Sequence, residues 1–239
     1  MNLLELLTRT NYKWGQACKG LSPLFTSIGE VLENEYNSYN IYPPKDKIFN
    51  AFKIDPEDVK VIICGMDPYF NHNQADGMAF SCQTETPPSL QVIFNELERT
   101  YHRHRIVSDL SDWRDQGVLL LNSILTVRRG LPLSHSNLKW QEFTSRVIKS
   151  LGNKGIPILA MGSEAQNLVR QLDIDKKFIV FTASHPAADA RGKSLKFYGS
   201  GIFHQCNEYL KSKRLTEIKW LDETNSKKST TDAVLTGFD

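Results

Sequence analysis

The sequence predicts an α/β fold, a three-layer sandwich with a central four-stranded parallel sheet flanked by helices. Four short runs are apolar without alternation: Val59 to Cys64, Gly117 to Asn122, Ile156 to Met161 and Phe178 to Thr182. Strands that read this way are covered on both faces, as parallel strands are. Segments of helical period separate them. Ser89 to Tyr101 carries Leu90, Ile93, Phe94 and Leu97; Lys139 to Leu151 carries Trp140, Phe143, Val147, Ile148 and Leu151; Ser163 to Leu172 carries Ala165, Leu168, Val169 and Leu172. Strands alternating with helices are the signature of a sheet wound with crossover helices.

Residues 1–50 read as a mainly helical arm that ends in the extended stretch Ile41-Tyr42-Pro43-Pro44. Residues 51–222 form the α/β domain. Residues 223–239, rich in Ser, Thr and Lys at their start, read as a flexible tail. With 239 residues and 40% hydrophobic content there is ample material for a core. No run approaches the roughly 20 apolar residues of a membrane span, and Met1-Asn2-Leu3-Leu4-Glu5 lacks a signal-like start, so the expectation is an intracellular, cytoplasmic monomer. Lys and Arg number 29 against 27 Asp and Glu, so an anionic partner must be met by local patches. Cys18, Cys64, Cys82 and Cys206 lie far apart without ligand spacing, which argues for reduced thiols and no metal.

The residues that follow each apolar run carry the chemistry. Asp67 follows the first within Gly65-Met66-Asp67-Pro68-Tyr69-Phe70, where Gly and Pro force a sharp turn. Asn122-Ser123 follows the second, Gly162-Ser163 the third, and Ser184-His185-Pro186 the fourth. Each alone also fits a structural role, as a turn, a helix cap or a packed histidine. Parallel topology brings all four strand ends to one edge, where open α/β sheets build their sites.

These motifs resemble the family-1 uracil-DNA glycosylases. The resemblance runs from about Ile41 to Leu210 through Ile41-Tyr42-Pro43-Pro44, Gly65-x-Asp67-Pro68-Tyr69, Gln74-Ala75-x-Gly77-x-Ala79-Phe80-Ser81, Pro87-Pro88-Ser89-Leu90, Gln116 to Asn122, Leu125-Thr126-Val127-Arg128, Ser134-His135, Gly162-Ser163 and His185-Pro186. It implies a monofunctional glycosylase that extrudes a pyrimidine from DNA, uracil by default, and hydrolyses its bond to deoxyribose without a cofactor. Asp67 would orient water and stabilise the sugar cation, and a neutral His185 would donate to the pyrimidine O2. Phe80 would stack on the base, Asn122 would bond its Watson-Crick edge, Tyr69 would stand against C5, and the Met66 backbone N–H would add a donor. Ser89, His135 and Ser163 match phosphate-contacting positions, with Arg128, Arg129, Arg191, Lys193 and Lys196 as electrostatic helpers.

The chain departs from the family pattern in two places. Met66 and Phe70 replace a Gln and a His, and Asn71-His72-Asn73 replaces a Gly-Pro-Gly segment, all beside the wall that guards C5. In the loop after His185, Ala187 and Ala188 replace serines, and Asp189 stands where a Leu wedge is usual. Leu195 or Arg191 would then take over the wedge, or the enzyme would depend less on wedging because its target is already weakly stacked; a poxvirus branch shares the His-Pro-Ala-Ala sequence. An amide at Asn122 satisfies either uracil or cytosine by rotating. Two alternatives to uracil excision therefore stay open: a glycosylase for a bulky C5-modified pyrimidine of phage DNA, acting in defence, and a non-catalytic DNA- or protein-binding module.

Overall fold

The computed structural model describes residues 1–152, 155–172, 178–192 and 196–222. Three N-terminal helices, α1 (Leu3–Thr10), α2 (Tyr12–Ala17) and α3 (Ser22–Ser38), precede strand β1 (Ile41–Tyr42). Then follow β2 (Val61–Gly65), α4 (Pro88–Tyr101), α5 (Ser111–Arg114), β3 (Val118–Asn122), β4 (Val127–Arg128) and α6 (Trp140–Leu151). The chain continues through β5 (Pro157–Met161), α7 (Ser163–Leu172), β6 (Ile179–Ala183), α8 (Pro186–Ala190) and α9 (Ile202–Ser212).

The central sheet has four strands in the order β3-β2-β5-β6, all parallel, as the apolar runs predict. Every residue of β2, β3 and β5 is buried, which requires helices on both faces. Strand β6 lies at the edge and is correspondingly more exposed. Pro157 lacks an N–H and sits at the first position of β5, where a ladder bond is dispensable. The extended stretch ending in Tyr42 makes a second, two-stranded sheet, with Ile41 opposite Arg128 and Tyr42 opposite Val127.

The N-terminal helices do not stand apart from the sheet. Leu3, Leu7, Trp14, Phe25, Ile28 and Leu32 belong to the same buried cluster as the strands. The junction is aromatic: Phe143 of α6 lies 5.0 Å from Phe25, 6.0 Å from Phe49, 5.6 Å from Phe52 and 6.2 Å from Trp140, ring centre to ring centre. At the other end, Trp220 packs edge-on against Trp113 at 5.0 Å and fixes the chain after α9. The stretch 223–239, expected as a tail, lies outside the described residues.

Register decides where the site forms. Gly65 pairs with Asn122, and Met161 with Ala183, so β2, β3, β5 and β6 all end on one edge. Two glycines admit the side chains that converge there. A Cβ on Gly65 would sit 2.0 Å from Asn122 Oδ1, and one on Gly162, at φ +99°, would sit 2.8 Å from His185 Cβ. Both must stay bare for Asn122 and His185 to lie over neighbouring strand ends.

Phe143→Ala removes the ring shared by the N-terminal segment and α6. It is expected to cost about 3–5 kcal/mol of unfolding free energy. Urea unfolding of the variant measures it, and a loss under about 1 kcal/mol would show the junction to be marginal.

Candidate active site

A cleft of about 710 Å³ opens at the carboxyl edge of the sheet. Four segments form one side. Gly65 to Asn71 contribute the turn after β2, Met78 and Phe80 the next loop, Pro87 to Ser89 the start of α4, and Asn122 the end of β3. Ser163, Glu164, His185, Ala187, Ala190 and Arg191 close the opposite side, with Pro132 at the rim. The structure thus gathers Met66, Asp67, Tyr69, Phe70, Phe80, Asn122, Ser89, Ser163, His185, Ala187 and Arg191, eleven of the residues singled out from sequence, around one hollow.

Asp67 is fixed by the backbone of a distant turn. Leu133 N–H donates to Asp67 Oδ2 at 2.7 Å. On the preceding residue, the Met66 carbonyl accepts from Ser123 Oγ at 2.8 Å and from Ile124 N–H at 2.9 Å. Burial raises the Asp67 carboxyl above its ordinary range, only partly offset by the Leu133 N–H and a backbone bond within Asp67 itself. An ion kept short of water is a stronger electrostatic partner for a nearby cation than a solvated one.

His185 begins α8, and its Nδ1 accepts from Ala187 N–H at 3.0 Å. A nitrogen that accepts carries no proton, so the neutral ring is protonated at Nε2. Burial, and then the nearby Arg191 charge, push its pKa below the usual imidazole value. His185 is therefore neutral near pH 7, with Nε2 as its donor.

Tyr69 and Phe80 are held as one wall. Tyr69 Oη donates to the Phe80 carbonyl at 3.3 Å and lies 3.0 Å from Ser89 Oγ, and burial raises the pKa of the phenol. Phe80 itself adopts φ +64° and lies 6.1 Å from the His185 ring, centre to centre. That left-handed turn rests on Asp76, which is 1% exposed. Asp76 accepts from Met78 N–H at 3.0 Å and from Ser81 Oγ at 2.5 Å, and Ser81 Oγ in turn accepts from Leu110 N–H at 3.0 Å. Phe70 packs outward with Tyr69 against the small cluster of Tyr42, Ala75 and Val127.

Two sequence expectations are corrected. His135 is 2% exposed and takes no part in the cleft. Trp140 Nε1–H donates to Thr126 Oγ1 at 2.8 Å, and the same hydroxyl lies 2.8 Å from His135 Nδ1. Glu35 Oε2 accepts from His135 Nε2–H at 3.2 Å, so in the neutral ring Nδ1 accepts from the Thr126 hydroxyl and no ring nitrogen is left for a phosphate. Burial, only partly offset by Glu35, keeps this imidazole neutral. Asp189, at the wedge position, turns inward instead of outward. Its Oδ2 accepts from Phe197 N–H at 2.8 Å and Tyr198 N–H at 3.0 Å, and its Oδ1 accepts from Ser184 Oγ at 3.3 Å. Leu195 and Lys193, also named from sequence, lie outside the described residues.

Asp189 is half of a clamp whose other half is Glu96, a carboxylate 0% exposed on α4. Glu96 accepts from Gly199 N–H at 2.6 Å and Gly201 N–H at 2.8 Å, while Arg99 donates to both of its oxygens at 2.9 and 2.8 Å. Burial disfavours its charge, but the bonds from Arg99, Gly199 and Gly201 outweigh that and hold the carboxyl below its usual range. The segment 197–201 therefore fastens the His185 loop to the helix that begins with Pro88-Ser89. Sequence reasoning missed Asp76, Glu96 and Leu133. Only Glu96 carries a signal, being a charge three residues after Ile93 on the apolar face of α4.

Asp189→Ala is expected to strand the Phe197 and Tyr198 N–H groups and to cost about 1–3 kcal/mol. Turnover should fall about tenfold or more as His185 loses its fixed approach, with partial recovery in Asp189→Asn. Thermal unfolding and kcat for the pair check this, and an unchanged kcat in Asp189→Ala would remove the positioning role.

Among the described residues no group of three or more His, Cys, Asp or Glu side chains is placed to hold a metal ion. No described helix is long and apolar enough to cross a membrane. Residues 52–211 match the family model of the uracil DNA glycosylase superfamily. The chain is 38% identical over 201 residues to the uracil-DNA glycosylase of Mesomycoplasma hyopneumoniae, covering 82% of this chain and 90% of that one. It is 41% identical over 210 residues to that of Acinetobacter baumannii, covering 84% and 86%. The crystal structure of mimivirus uracil-DNA glycosylase superposes with a TM-score of 0.77 at 25% identity, covering 92% of this chain and 89% of that one. Matching the family model over most of its α/β body and sharing this much sequence with such relatives, the chain belongs to the uracil-DNA glycosylase superfamily and is a DNA glycosylase, a hydrolase of N-glycosyl bonds.

Proposed function

We propose that this enzyme excises uracil from DNA, taking the extruded base into the cleft between Asp67 and His185 and leaving an abasic site. The observation that carries the reading is the pairing, in one cleft, of a half-buried carboxylate with an imidazole whose Nε2 bears the proton. As the bond between C1′ and N1 lengthens, its electron pair moves into the pyrimidine, and charge gathers on O2. The His185 Nε2–H meets that charge, and the Asp67 carboxylate faces the sugar cation. Water oriented by Asp67 then adds to C1′ and passes a proton to that carboxylate, which returns it to solvent, while the pyrimidine leaves as its anion and is protonated from solvent. Both groups act more strongly on the transition state than on the neutral substrate, which is the condition for raising kcat.

Selectivity follows from the wall. Phe80 offers a face for stacking, Asn122 a hydrogen-bonding edge, and Tyr69 a ring where thymine would carry its methyl. The Tyr69 hydroxyl is tied at both Ser89 and Phe80, so the ring resists displacement by a C5 substituent. Phe70 packs into the Tyr42, Ala75 and Val127 cluster behind it. These contacts support uracil over a bulky C5-modified pyrimidine. The enzyme is expected to act as a monomer.

Incubation with uracil-containing oligonucleotides should give alkali-labile sites, and Asp67→Asn should lower the rate about a thousandfold or more. Absence of cleavage by the wild-type protein would end the uracil reading. Asp67→Asn should also raise thermal stability at pH 7. The fold favours protonated Asp67, so its ionisation weakens the fold as pH rises from the ordinary carboxylate value of about 4 through the raised one. The gain is present above that window and vanishes below it. A variant less stable at pH 7 would contradict this.

The profile of kcat/KM against pH is expected to fall on the acid side above the ordinary carboxylate value of about 4. Asp67 protonates above that value because burial disfavours its charge, and burial and Arg191 keep His185 neutral below the ordinary imidazole value. An acid limb at or below about 4 would show that Asp67 does not control the reaction.

A further inference from the structure

The turn after β4 presents two leucines to solvent from a rigid base. Arg128 Nε and Nη2 each donate to Glu35 at 2.6 Å, and Arg128 N–H donates to Ser134 Oγ at 2.8 Å. Arg129 N–H donates to the Asn40 carbonyl at 2.8 Å and Gly130 N–H to that of Phe70 at 2.9 Å. His135, locked between Thr126 and Glu35, closes the far end. Above this base Leu131 is 55% exposed and Leu133 40% exposed.

Leu133 is also in the left-handed region, at φ +59°. A branched side chain there costs on the order of 1 kcal/mol against Gly or Asn. Exposure of its apolar surface adds to that cost. Leu133 packs in neither of the two hydrophobic clusters of the described residues. Its position is informative: its own N–H holds Asp67, and neighbouring Pro132 forms the rim of the cleft. Strain retained at a site edge points to a use outside the free fold.

Extruding a base leaves a gap in the duplex that apolar wedges fill in other DNA-bending and base-flipping proteins. Asp189 does not serve, since both its oxygens are bonded within its own loop and the following segment. Resting on the glycosylase reading, we propose that the Leu131-Pro132-Leu133 turn is pressed into duplex DNA beside the extruded nucleotide, with Leu133 as the inserting side chain. The turn lies on the Asp67 side of the cleft, next to the sugar under attack, and the exposed Arg129 flanks it for a phosphate. A turn already tethered loses little entropy on insertion.

The test is single-turnover release of uracil from a duplex and from the same sequence as a single strand, which has no gap to fill. Leu133→Ala should lower the duplex-to-single-strand rate ratio about tenfold or more, and Leu131→Ala by a smaller factor. Leu133→Asn should lower the same ratio while raising Tm, because Asn accepts the left-handed turn. An unchanged ratio in all three overturns the proposal. So does an equal loss on both substrates, which would place the effect at Asp67. A ratio that falls only in Leu195→Ala would assign the wedge to the loop after His185. Wild-type protein inactive on both strands would remove the glycosylase reading itself, and the wedge with it.

Discussion

A half-buried carboxylate, held by a backbone donor from another loop, is the constraint around which this molecule is arranged. Asp67 is half-buried, which raises its carboxyl above the ordinary range, and among the described residues the Leu133 N–H reaches it from a distant segment. Such a group weakens the fold at neutral pH, and its charge acts more strongly where the dielectric is low, as the proposed reaction requires. The scaffold must therefore supply the missing rigidity from elsewhere. Parallel strand ends fix the turn that carries Asp67, and the Glu35 network fixes the turn that carries Leu133.

The same logic extends to the opposite wall. His185 is neutral because it is buried beside Arg191, and it is a donor at Nε2 because Ala187 occupies Nδ1. Its loop is not free to drift, since Asp189 and Glu96 bind four consecutive-region N–H groups between residues 197 and 201. The carboxylates Asp76, Glu96 and Asp189 thus serve geometry, whereas Asp67 is the one proposed for the chemistry. What separates them is their partners. The geometric ones are saturated by several donors, whereas among the described residues Asp67 has a single one from outside its own turn and faces the cleft.

Much of this was legible in the sequence because parallel strands announce themselves. Continuous apolar runs placed β2, β3, β5 and β6 within two residues, and the glycine, proline or polar residue after each marked where side chains would meet. What was not legible depended on backbone donors and on side-chain direction. Nothing in Leu133 as a residue type says that its N–H will bind an acid 66 positions earlier. Asp189 reads as an exposed loop residue until the N–H groups of 197 and 198 are brought round to it. His135 matches a DNA-contacting position, yet Trp140, Thr126 and Glu35 consume both ring nitrogens, and two of those three lie outside the quoted Ser134-His135 motif and its neighbours.

The most direct test of the central claim is a crystal structure of the enzyme on a duplex carrying a non-cleavable uracil nucleoside. The account predicts the base out of the helix and inside the cleft, with O2 within hydrogen-bond distance of His185 Nε2, C5 against the Tyr69 ring, and C1′ beside the Asp67 carboxylate. A base still stacked in the duplex, or one seated with O2 turned away from His185, would contradict it.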